Sequence, residues 1–176
     1  MARFHRRAAQ ADLAPAIAQA LGLAKGERVL AYAVDDNTGA HVVATTYALA
    51  VVTSTGERTL RRRWLSVDAG SWEPETATLT VTWADGRRAG QWSFRDQQTL
   101  LPETLRERVQ GSVVLSTRLM LGDKRSGRVA IRQDFATREL LAQTILGRHT
   151  RAEDPEVQAH VHAALAHLKD QVGLPE

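Results

Sequence analysis

Six histidines, four tryptophans and a surplus of basic over acidic residues (23 to 20) are the chemical resources of this 176-residue chain, which has no cysteine. Without a thiol there is no disulfide framework, thiolate zinc site or cysteine nucleophile. The histidines do not compensate. His160 and His167 share a flank of one helical segment but stand seven residues apart, about 10.5 Å along the axis, too far to chelate one ion. His162 points away from both, and there is neither an HExxH motif nor an i,i+4 histidine pair. No G-x-S-x-G elbow, G-x-x-x-x-G-K-[ST] loop or G-x-G-x-x-G loop occurs. The acidic residues Asp35, Asp36, Glu73, Glu75, Glu153 and Asp154 read as turn formers and helix caps. Asp68 is the one carboxylate expected inside a strand beside aromatic residues, where a shifted pKa would mark a site. The expected catalytic, metal and cofactor inventory is therefore none.

Basic and aromatic residues offer binding instead. Arginines cluster at Arg6-Arg7, Arg61-Arg62-Arg63 and Arg87-Arg88, and Lys124-Arg125 adds a fourth basic cluster. Consecutive strand residues alternate faces, so of the triplet only Arg61 and Arg63 are expected to act together. They precede Trp64, and a guanidinium beside an exposed aromatic can stack on bases or grip phosphate. Arginine on a strand edge also discourages unwanted pairing. Trp64 and Trp72 lie in irregular sequence, and either one, if exposed, is a natural anchor. Trp83 and Trp92 are expected to pair across a hairpin in the core. The candidate partner-binding residues are thus Arg61, Arg63, Trp64, Trp72, Arg87 and Arg88.

The elements that must carry these residues are mostly short strands. From Thr76, TATLTVTWADGRRAGQWSF alternates strictly, with Leu79, Val81 and Trp83 on one face and threonines on the other, and a tight turn is expected at Asp85-Gly86. Further strands are expected near 28–35, 41–46, 49–54, 57–62, 67–73, 76–84 and 88–95. The apolar run 42–53 is too short to span a bilayer and reads as two buried strands turning at Thr46-Tyr47. Val67 and Trp72 have opposite parity, which a bulge at Gly70 would reconcile. Residues 1–11 are expected to be mobile, followed by a short helix capped by Asp12, with Pro15 in its first turn and Gly22 near its end. A second helix over about 102–114 carries Leu101, Leu105, Val109 and Val113 at helical spacing. Beyond it, 115–121 and 127–133 read as strands, and 140–146 as a strand or short helix. A last helix starts at Asp154-Pro155, buries Val157, Val161, Ala164, Leu165, Leu168 and Val172, and ends at Gly173.

Composition sets the frame. At 43% hydrophobic and 24% charged the chain is an ordinary globular one, with a formal charge of only +3. That total makes no dedicated nucleic-acid patch, and the arginine excess fits a GC-rich coding sequence. The N-terminus lacks the apolar core of a secretion signal, and a reducing cytoplasm suits the lack of cysteine.

Seven strands followed by a capping amphipathic helix, over about 28–114, resemble the pleckstrin-homology-like (PH-like) superfold, and in detail the small bacterial PH-like or GRAM-like domains. HVVATTYALAVV resembles their paired second and third strands, RRRWLSVDAGSWEPETATLTVTW the segment where an aromatic residue precedes the central strands, and LPETLRERVQGSVV their final helix. The whole chain also resembles a group of actinobacterial proteins, a likeness that brings no activity with it. The resemblance implies an α+β fold: a PH-like antiparallel β-barrel of about seven strands capped by a helix, then a small β-meander and terminal helix. The implied divisions are an arm and short helix at 1–26, the PH-like domain at 27–114, and a C-terminal part at 115–176 packed on it as one unit. Such domains bind phosphoinositides, peptides or other domains, and the fold does not choose among these. The loop between the first two strands, DDNTGAH, is acidic where phosphate binding wants positive charge, so phosphoinositide is disfavoured.

The expectation is a cytoplasmic, non-enzymatic binding or scaffold module that binds a protein partner or itself, without inserting into a membrane. A nucleic-acid or ribosome-associated factor using the arginine clusters, and an enzyme with a dispersed site, are the alternatives.

Overall fold

The computed structural model describes residues 13–122 and 124–175. The expectations for residues 1–11 and for Asp12 as a cap lie outside that range. The chain divides into two compact units, the boundary falling between Gln110 and Gly111.

The first unit opens with helix α1 (Pro15–Leu21) and continues through seven strands: β1 (Val29–Val34), β2 (His41–Thr45), β3 (Ala48–Val52), β4 (Arg58–Arg63), β5 (Val67–Glu73), β6 (Thr78–Trp83) and β7 (Gly90–Ser93). A single 3-10 turn, Trp64–Ser66, joins β4 to β5, and helix α2 (Leu101–Ser112) follows β7. The residue at the N-cap of α1 is Ala14, which makes no side-chain cap bond, and Pro15 starts the helix where an amide hydrogen is dispensable. Gly22 closes it in the left-handed region, at φ 55°.

The β-barrel expectation is overturned. The seven strands form two open antiparallel sheets, β1-β2-β3-β4 and β5-β6-β7, and no ladder closes either one. The α+β class stands. Between β7 and β1, side chains do the work that strand pairing would do in a barrel. Asp35 accepts the Ser93 amide at 2.9 Å, Asp36 accepts that of Arg95 at 2.8 Å, and the Asp36 amide donates to the Ser93 carbonyl at 2.9 Å. Further along, the Gln97 side chain both accepts the Val34 amide (2.8 Å) and donates to its carbonyl (2.5 Å), while the Thr99 hydroxyl donates to Tyr32 O (2.9 Å). The acidic loop after β1 is therefore a structural latch.

β2 and β3 are buried along almost their whole length, since one face of the sheet receives α1. Leu13, Ile17 and Leu21 pack there on Val29, Val43, Ala50 and Val52. A strand covered on both faces needs no polar alternation, which is why VVATTYALAVV reads as one apolar run. The expected turn at Thr46-Tyr47 is present. The Thr45 hydroxyl accepts the amides of Tyr47 (3.2 Å) and Ala48 (2.9 Å) there.

The hairpin from Thr76 departs from expectation. Residues 84–89 form a six-residue connection, since Val81 pairs with Gly90 and β6 runs on to Trp83. Gly86 takes a positive φ of 72°, whereas Asp85 is absent from the positive-φ residues, so the two do not form the tight turn that needs both. Asp85 instead accepts Arg62 from β4, and the Trp83 indole donates to Arg88 O at 3.0 Å. Trp83 sits opposite Val67, and Trp92 opposite Leu79, so the two tryptophans do not pair. The bulge in β5 is at Asp68 rather than Gly70, and it puts Val67, Gly70 and Trp72 on one face.

The second unit is a meander of β8 (Val113–Arg118), β9 (Gly127–Gln133) and β10 (Leu140–Leu146), in the order β10-β9-β8, with helix α3 (Pro155–Val172). Residues 140–146 are a strand. The Asp154 side chain caps α3 by accepting the Glu156 amide at 3.0 Å, and Gly173 ends it in the left-handed region. Val157 and Leu168 are buried with Leu119, Leu121, Val129 and Ile131, and Val161, Ala164, Leu165 and Val172 pack around them, the face read from the sequence. Among the described residues no helix is long and apolar enough to cross a membrane.

Candidate functional site

The six candidates do not converge. Trp64 is only 1% exposed, and its indole donates to Thr45 O at 2.9 Å, so it is a core residue. Arg61 turns onto Glu27 at 2.6 Å. That carboxylate is buried; it also accepts the Thr45 hydroxyl (2.5 Å) and the Ala24 amide (2.8 Å). Burial pushes the Glu27 carboxyl up, but Arg61, Thr45 and the Ala24 amide together outweigh it and hold its pKa below the ordinary value. Arg63 is exposed at the end of β4. The expected cooperation of Arg61 with Arg63 gives way to one between Arg62 and Arg87, which meet on Asp85 at 2.8 and 3.3 Å. Arg62 also lies 4.7 Å over the Trp83 ring. Arg62 lowers the Asp85 pKa by its hydrogen bond, with a smaller contribution from Arg87. Arg88 is exposed, and its carbonyl holds the Trp83 indole.

Trp72 is different. It is 36% exposed on β5, an end strand of its sheet, and stacks on buried Phe94 with ring centroids 6.4 Å apart. Two concavities meet at it. The first, of about 400 Å³, runs between β5 and α2: Gly70, Ser71 and Trp72 form one wall, Pro102, Glu103, Leu105 and Arg106 the other, and Leu79 contributes from β6. The second, of about 530 Å³, lies over the sheet face that carries Thr78, Thr80, Gln91 and Ser93, with Glu73 and Arg95 at its margins.

The groove's shape follows from a glycine. A Cβ on Gly70 would overlap Leu105 Cδ2, so the helix docks close to β5 only because position 70 has no side chain. Leu105 is 1% exposed, and Leu101 is fully buried one helical turn before it. The apolar base is thus rigid, while Glu103 and Arg106 present opposite charges along the helix wall. Sequence reasoning found Trp72 but missed Pro102, Glu103 and Arg106 as lining residues. The legible signal was Gly70, a glycine inside an expected strand.

Asp68 occupies the bulge, its carboxylate 3.5 Å from the Thr82 hydroxyl. On α3, His160 Nδ1 lies 2.9 Å from Glu156 O and His167 Nε2 2.9 Å from Gln171 Nε2. No group of three or more His, Asp or Glu residues that could hold a metal ion occurs among the described residues.

Compared with protein-family models, curated proteins and solved structures, the chain matches none.

Proposed function

We propose that this chain is a cytoplasmic, non-enzymatic binding module whose first unit takes an extended segment of a partner protein in the groove between β5 and α2. The supporting observation is the placement of exposed Trp72 on an end strand beside that groove. A segment lying along β5 would add a strand to the sheet, gaining main-chain hydrogen bonds for affinity, while a side chain directed at Gly70 and Leu105 supplies selectivity. Trp72, backed by Phe94, is a rigid aromatic anchor that loses little entropy on contact.

The arginines weigh against the nucleic-acid alternative. Arg61 is committed to Glu27, and Arg62 and Arg87 share Asp85, so three of the guanidinium groups that would track phosphates already hold a carboxylate of this chain. Asp35 and Asp36, engaged by the amides of Ser93 and Arg95, likewise disfavour a phosphoinositide headgroup at the loop after β1.

The test is a peptide-display selection on the immobilised full chain, followed by titration of the selected peptides. Trp72→Ala and Arg106→Glu are each expected to weaken binding at least tenfold, and N-methylation of alternate peptide amides to abolish it, with Arg87→Ala neutral. Peptides indifferent to both groove substitutions, or partners captured from cells that all vanish after nuclease treatment, would overturn the reading.

A further inference from the structure

Six described strands stand at the end of a sheet, and five of them carry a feature that blunts edge-to-edge pairing. β1 has a bulge at Leu30 and is met by Gln97 and Thr99; β4 has a bulge at Thr59 and four arginines. β5 is bulged at the charged residue Asp68, which blunts pairing at its start and leaves only the regular stretch Ala69–Glu73 beside the groove, and β8 is bulged at Val114, with Arg118 at its end. β7 is only four residues long.

β10 has none of these. Its seven residues, LLAQTIL, contain no charge, proline or glycine, and pair with β9 in an unbroken register from Leu140↔Gln133 to Leu146↔Gly127. The order β10-β9-β8 puts no strand beyond it. Leu141 is 41% exposed and Ala142 is exposed as well.

We infer that β10 pairs antiparallel with β10 of a second copy of this chain, joining two meanders into one six-stranded sheet about a two-fold axis at Gln143. The occupant follows from self-complementarity, which a two-fold interface requires. Centring the pairing on Gln143 sets Leu140 against Leu146, Leu141 against Ile145, Ala142 against Thr144, and Gln143 against itself. Bulky aliphatic residues meet bulky aliphatic residues on both faces, and no like charges oppose. This interface uses residues of the second unit alone, and none of them lines the groove beside Trp72.

The full chain should sediment as a dimer at micromolar concentration. Because it has no cysteine, Gln143→Cys gives a single thiol, expected to yield a disulfide-linked dimer on mild oxidation, whereas a cysteine replacing exposed Arg151 (Arg151→Cys) yields none. Gln143→Lys places two ammonium groups across the axis and should abolish the dimer with an unchanged circular dichroism spectrum. An equimolar mixture of Gln143→Lys and Gln143→Glu should restore it. If Gln143→Lys does not fold, Leu141→Lys is the variant to read, with the same loss expected. A wild-type chain that stays monomeric at several hundred micromolar, a dimer that folded lysine variants leave intact, or a dimer in which Gln143→Cys does not cross-link would each overturn the inference.

Discussion

Replacing Gly70 by alanine tests whether the close approach of α2 to β5 sets the groove. In an unobstructed strand the change is favourable by roughly 0.5–1 kcal/mol, because alanine has less backbone freedom to lose on folding. Here the new Cβ enters the volume of Leu105 Cδ2. The side chain it meets is 1% exposed and must shift to admit the new carbon, so overpacking should cost about 1–3 kcal/mol. The net expectation is destabilisation of about 1–2 kcal/mol, opposite in sign to the propensity effect. Leu105→Ala alone should cost about 2–5 kcal/mol as a cavity mutation. Combined, the two should be less damaging than their sum, by about 1 kcal/mol or more, because the alanine Cβ at 70 fills space the leucine vacated. All four tryptophans precede Gln110, so tryptophan fluorescence in a urea titration reads the first unit directly. Strict additivity, or a stabilised Gly70→Ala single variant, would refute the packing argument and with it the account of how the groove is shaped.

Two acid-sensitive steps are expected in the first unit. Burial, unopposed by any charge partner, lowers the pKa of His41, so the unfolded chain binds its proton first. The stability it contributes is complete above about pH 6.5 and is lost as pH falls from there through the folded value; His41→Gln should remove that step from a stability–pH curve. Glu27, also lowered, contributes stability present above its unfolded pKa of about 4.5 and lost as pH falls through the folded value, and Glu27→Gln should flatten the curve there. In the second unit, Asp154→Ala removes the cap bond to Glu156 and a partner of Arg125, which should cost about 1 kcal/mol in a melt followed at 222 nm. Asp154→Ser, which keeps the cap bond, should recover most of that loss, and equal behaviour of the two variants would show that the cap contributes nothing.

What was legible in the sequence was whatever local chemistry decides. The start of α3 follows from Asp154-Pro155 and its end from Gly173, because capping is settled within one turn. Strand positions followed from turn residues between apolar segments, and β2 with β3 from a run buried on both faces. The errors lie where a distant partner chose the outcome. Asp85-Gly86 carries the composition of a two-residue turn, yet Arg62, 23 residues earlier in sequence, takes the Asp85 carboxylate. The β5 bulge went to Asp68 because Gly70 was needed for Leu105, 35 positions on.

The same distinction explains the site. Arginine and tryptophan were candidates by type, but type does not reveal an intramolecular partner. Trp64 was lost to a carbonyl at Thr45 and Arg61 to a carboxylate at Glu27, each of which the sequence separates from its partner by a strand or more. Trp72 survives because its stacking partner, Phe94, supports the ring without covering it, leaving a third of the residue in solvent. Trp72 thus has a buried aromatic behind it and a glycine two residues before it on the same strand. The glycine lets a helix come close enough to build the opposite wall, and the buried ring keeps the exposed one from collapsing into the groove. Gly70 and Trp72 share one face of β5, with Phe94 stacked on the Trp72 ring, which is the physical reason for seeking a partner there rather than at the arginines.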